Sequence, residues 1–83
     1  MQIKVYGLGC ERHHRLLHNV KTAVAELNID AQVIEVSDIE QIAEAGFSST
    51  PGLAIDDEPV IAGQVLNIDE LKIIIRRYRR LAG

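Results

Sequence analysis

Two short alternating apolar runs flank one long amphipathic stretch, and this order constrains the chain more than any other feature. Residues 2–6, QIKVY, put Ile3 and Val5 on one face of a strand. From about Cys10 to Leu27 the apolar residues Leu16, Leu17, Val20, Val24 and Leu27 recur at helical spacing. Asn28 follows, a residue that tolerates the left-handed position after a helix. Residues 31–36, AQVIEV, form a second strand. A strand, a helix and a strand in that order require a right-handed crossover between parallel strands.

The second half adds a different connection. Ser37 or Asp38 can cap a short helix, DIEQIAEA, which Gly46 closes. Two apolar runs, GLAID at 52–56 and PVIAG at 59–63, are predicted to pair as a hairpin with its turn at Asp57-Glu58. A hairpin is antiparallel. Asn67 starts the last helix, with Asp69 and Glu70 in its first turn and Leu71, Ile74, Ile75, Tyr78 and Leu81 on its apolar face. Ile73 falls opposite that face. The predicted class is α/β, in the order β-α-β-α-β-β-α, with a four-stranded mixed sheet flanked by helices in one domain over 1–83.

Size and charge narrow the function classes. A chain of 83 residues buries only about 60–65% of its unfolded surface, and its 47% hydrophobic content suffices for a modest core. One cysteine rules out an intramolecular disulfide framework, so a reducing, cytoplasmic setting is expected. The first residues hold no apolar region of signal-peptide length, and no run approaches the ~18 apolar residues of a membrane span. A net charge of -3 gives no basic excess, so neither nucleic acid nor membrane is an expected partner. Arg76, Arg77, Arg79 and Arg80 fall in the last turns of the predicted helix, where cations complement the dipole.

The chemistry concentrates at YGLGCERHHRLL, residues 6–17. Cys10 stands at the start of the first helix, where unpaired N–H groups converge and an anion is favoured. On a helical wheel His13 lies within about 20° of the apolar centre near Val20, so it faces the sheet. Cys10, His14 and His18 form a separate stripe on the flank. Cys10 is thus an accessible nucleophile or, alternatively, a small buried apolar residue. The bond between Thr50 and Pro51, just before a strand, can be cis or trans on the residues alone.

Taken together, VYGLGC before an amphipathic helix and STPGLAIDDEPVIAGQVLNIDELKIII near the end resemble small thioredoxin-like proteins, often called redox-active disulfide proteins. These are glutaredoxin-sized members of the thioredoxin superfamily. The resemblance runs from Ile3 to about Ile75 and implies the minimal thioredoxin-like fold. It further implies that Pro51 is cis and packs beside the active-site sulfur, that Thr50 and Pro51 bind substrate, and that Cys10 is the attacking cysteine. The family's second cysteine then corresponds to His13, so C-x-x-C becomes C-x-x-H. Cys10 and His13 are the candidate catalytic residues, with the imidazole able to donate to the Cys10 thiolate.

A dithiol enzyme resolves its mixed disulfide with the second thiolate. A single sulfur needs an external thiol instead. The expected function is therefore monothiol thiol–disulfide exchange or mixed-disulfide formation through Cys10, with a protein disulfide or a low-molecular-weight thiol as partner. No cofactor is expected, and the chain is expected to be a monomer or a weak homodimer. One rival is a redox-inactive thioredoxin-fold binding module. Another is metal or metalloid binding by Cys10 and histidines, but Cys10 and His18 lie ~12 Å apart along the helix and cannot share an ion. Only Cys10 with His14 remains as a pair, so no metal site is predicted. The G-x-G of GLGCER has Arg12 where a third glycine would stand, and Asp56, Asp57 and Glu58 are explained by turn chemistry.

Overall fold

A computed structural model describes the backbone of residues 1–82 and the side chains of residues 1–80. Its elements are β1 (Gln2–Tyr6), α1 (Glu11–Leu27), β2 (Gln32–Val36), α2 (Ile39–Glu44), β3 (Gly52–Ile55), β4 (Glu58–Ala62) and α3 (Ile68–Ala82). The sheet order is β2-β1-β3-β4. β1 runs parallel to β2 and antiparallel to β3, and β3 pairs antiparallel with β4. The predicted fold class and element order are those observed.

Strand alternation sends side chains to two cores. Ile3, Val5, Leu53 and Ile55 face α1 and α3, meeting Leu16, Val20 and Ala23 of α1 and Leu71 and Ile75 of α3. Tyr6, Val36 and Ala54 form a second cluster with Ile42 of α2 and Phe47. The rings of Tyr6 and Phe47 lie 4.7 Å apart at 37°. Gly52 is required there, because a Cβ would fall 2.6 Å from the Phe47 ring.

The helix ends follow their sequence signals. Asn28 adopts φ 52°, ψ 47° after α1. Asp38, rather than Ser37, caps α2 by accepting from the N–H groups of Glu40 and Gln41. Asn67 and Glu70 form a reciprocal capping box on α3: the Asn67 Oδ1 accepts from the Glu70 N–H at 2.8 Å, and the Glu70 carboxylate from the Asn67 N–H at 3.1 Å. Ile73 is exposed, as its position on the wheel requires. Leu81, expected on the apolar face, lies outside the residues whose side chains are described.

The hairpin turn is one residue earlier than expected. Asp56 and Asp57 both take positive φ, 49° and 67°, and Ile55 faces Glu58 across the two-residue loop. A two-residue type I′ turn needs left-handed backbone at both central positions, which Asp tolerates better than Glu. β4 therefore begins at Glu58. Pro59 sits on this edge strand, where a missing N–H is tolerated, next to a register shift between Leu53 and Ala54.

Candidate functional site

Cys10 is the residue immediately before α1, with extended backbone (φ -74°, ψ 171°) and an exposed side chain. The buried alternative for this thiol is thereby overturned. Its carbonyl accepts the His14 N–H at 3.1 Å, which closes the first helical turn. No side chain caps this helix end. Cys10 thus occupies the position ahead of the unpaired N–H groups of the first turn, the end of the helix at which the dipole favours negative charge. Glu11, the acidic residue of that turn, is held in an i, i+4 pair with Arg15 at 2.9 Å.

Gly7, Leu8 and Gly9 carry the chain from β1 to Cys10. Gly7 donates to the Val36 carbonyl at 3.0 Å, continuing the β1–β2 pairing. Gly9 turns the chain with φ +84°. Leu8, in the loop two residues before Cys10, is an exposed apolar side chain at 58%.

His13 is fully buried, as its place on the wheel requires. Sequence reasoning expects its imidazole to donate toward the Cys10 sulfur. In the structure Nδ1 instead accepts the Gly9 N–H at 2.9 Å. Because a backbone N–H can only donate, Nδ1 must be the unprotonated nitrogen, and the ring proton resides on Nε2. Nε2 lies 3.2 Å from Oε2 of Glu35, at contact distance but out of line for a hydrogen bond. A donor buried without an acceptor costs about 1–3 kcal/mol, so a turn of the half-exposed Glu35 carboxylate into line is favoured. The His14 ring stacks parallel to His13 with centroids 5.5 Å apart, although the two side chains leave adjacent positions on the helix.

The other candidate residues, Thr50 and Pro51, lie just ahead of the hairpin. The Thr50–Pro51 bond is cis. Pro51 is buried, and Thr50 is half-buried ahead of β3. The Pro51 carbonyl accepts from the Gly63 N–H at 2.8 Å, and the Gly63 carbonyl accepts from the Arg12 guanidinium at 2.8 Å. Two hydrogen bonds therefore connect the proline turn, the end of β4 and the first turn of α1. Arg12, Gly63 and Glu35 were not singled out from the sequence, because each acts through a partner remote in the chain. Among the described residues, no three His, Cys, Asp or Glu side chains converge as a metal site. No helix among them is long and apolar enough to cross a membrane.

A family model described as a thioredoxin domain matches residues 1–76. The chain belongs to the thioredoxin family. It is 43% identical over 75 residues to a thioredoxin of Methanothermobacter thermautotrophicus, covering 90% of this chain and 97% of that one. It is likewise 41% identical over 76 residues to a thioredoxin of Methanocaldococcus jannaschii, covering 92% and 87%. Within this thioredoxin frame, the third residue after the lone cysteine is a buried histidine engaged with Gly9 and facing Glu35.

Proposed function

We propose that this protein carries out monothiol thiol–disulfide exchange through Cys10. Membership of the thioredoxin family supports a thiol–disulfide redox role in general. The observation that carries the finer reading is an exposed, uncapped Cys10 at a helix N-terminus, with a buried imidazole where a second sulfur would stand.

The Cys10 thiolate attacks one sulfur of a disulfide. A Cys10–sulfur bond forms, the substrate S–S bond breaks, and the other sulfur leaves as a thiolate that takes up a proton. A second, external thiolate then attacks the mixed disulfide and releases Cys10. The external sulfur ends in a new disulfide with the substrate sulfur that Cys10 had held. The external thiol is thus oxidised, the departed substrate sulfur is reduced to a thiol and Cys10 is regenerated. When Cys10 attacks the glutathione sulfur of a glutathionylated chain and glutathione is the external thiol, that product is oxidised glutathione. Cys10 is the nucleophile. His13 holds the loop that delivers it, and Thr50 and Pro51 border the incoming chain.

The test is incubation with oxidised glutathione, followed by intact-mass measurement and turnover of a glutathionylated peptide with reduced glutathione as donor. One adduct per chain and thiol-dependent turnover are expected, both lost in Cys10→Ser. A chain that takes no adduct, or whose adduct reduced glutathione does not release, overturns the reading in favour of a redox-inactive binding module.

A further inference from the structure

We infer that Glu35 is a positioning residue for the Cys10 loop, acting through the tautomer of His13. Its consequence for thiol exchange rests on the monothiol reading above, whereas the tethering itself does not.

The position of Glu35 is unusual for a carboxylate. β1 and β2 pair in register, Ile3 with Val33 and Val5 with Glu35. Ile3 and Val5 are fully buried against α1, and Val33 packs on the same cluster. Successive residues of a strand alternate in direction, so Glu35 occupies a core-facing position that the pattern reserves for an apolar side chain. It is 43% exposed at the sheet edge, which keeps its charge hydrated while Oε2 reaches 3.2 Å from the buried His13 Nε2. Among the described residues, Nε2 has no aligned acceptor, and Glu35 is the carboxylate that approaches it.

The two ends of the imidazole are coupled. A carboxylate beside Nε2 favours the proton there, which leaves a lone pair on Nδ1. That lone pair accepts the Gly9 N–H. With the proton on Nδ1, two donors would face each other across 2.9 Å and Gly9 would be released. Gly9 has a left-handed backbone and directly precedes Cys10. Glu35, 25 residues along the chain from Cys10, thus determines whether the residue before the nucleophile is tethered.

Long-range proton–nitrogen correlation on the labelled full chain reads the His13 tautomer, and amide hydrogen exchange reads Gly9. The unaltered protein is expected to hold the Nε2–H tautomer with a protected Gly9 amide. Glu35→Gln should keep both, because its amide oxygen accepts. Glu35→Leu should mix the tautomers and speed Gly9 exchange about tenfold or more relative to amides of α1, with slower glutathionylation of Cys10. Unchanged tautomer and unchanged Gly9 exchange in Glu35→Leu overturn the proposal. So does a proton on Nδ1 in the unaltered protein or in Glu35→Gln, a result that decides the matter even if Glu35→Leu does not fold. Absence of a glutathione adduct on the unaltered chain would instead overturn the monothiol reading while leaving both spectroscopic outcomes intact.

Discussion

Gly7 and His13 compete for the same space: a Cβ at position 7 would lie 2.5 Å from Cγ of the His13 ring. The glycine is therefore the condition on which the imidazole is buried where it is. Neither side can yield easily. Gly7 is bonded to the Val36 carbonyl, and His13 is enclosed by the core and held by Gly9.

Gly7→Ala should lower stability by about 1–3 kcal/mol, the usual cost of forcing an extra carbon into a packed interior. Denaturant unfolding measures this. In a cycle with His13→Ala the two costs should be less than additive, since the added Cβ then meets vacated space. Strict additivity would mean that the ring is not what excludes the methyl group.

His13→Cys should create a C-x-x-C pair at the start of α1. Loss of the ring leaves a cavity and frees the Gly9 N–H, for a stability loss on the order of 1–3 kcal/mol. Under mild oxidant the folded variant should close an intramolecular disulfide, visible as a loss of two mass units and of both free thiols. The parent should form only intermolecular adducts. Two thiols that stay free in the folded variant would show that positions 10 and 13 lack bridging geometry.

Lys4 and Asp57 give a prediction in alkaline solution. The hydrogen bond from the Lys4 ammonium to Asp57, at 3.0 Å, and then the charge of that carboxylate raise the Lys4 pKa above the ordinary 10.5. A raised folded-state value means that the pair's contribution is complete below the unfolded lysine pKa and fades as pH climbs through the folded one. The window is therefore above pH 10.5, and neutral stability is insensitive to the titration. Titration of the Lys4 side chain by NMR should show the upward displacement, and Asp57→Asn should bring the value down.

Asn67→Ala removes one arm of the α3 capping box and should cost about 1 kcal/mol in equilibrium unfolding. Asn67→Asp keeps an acceptor for the Glu70 N–H and should cost far less. Equal losses for the two would assign the effect to something other than the cap.

Much of the architecture was readable because its signals are local. Helical spacing marks α1 and α3, alternation marks β1, and the order of elements implies a parallel crossover followed by an antiparallel hairpin, whereas the position of that hairpin beside β1 appears only in the structure. The depth of His13 was readable for the same reason, since the angle around a helix depends only on neighbours in sequence. What His13 bonds to was not. Glu35 lies 22 positions away, and only the parallel register of β1 and β2 brings it to the ring. The Arg12–Gly63 bond spans 51 positions. The hairpin turn lies one residue before the position that periodicity gives, because periodicity alone does not distinguish an aspartate in left-handed backbone from one ending a strand.

Gly63 receives Arg12 on its carbonyl and gives its N–H to Pro51, and a Cβ there would stand 3.0 Å from that of Ser49. One peptide segment thus serves as a common hinge pin for the helix that follows Cys10 and the turn that carries the cis proline. Insertions tell its surroundings apart. Residues added beside the exposed Gln64 fall outside both of these hydrogen bonds and leave the link from Pro51 through Gly63 to Arg12 as it is. One added residue between Ala62 and Gly63 moves the pin itself, and the two sides of the site drift out of alignment while both cores remain packed.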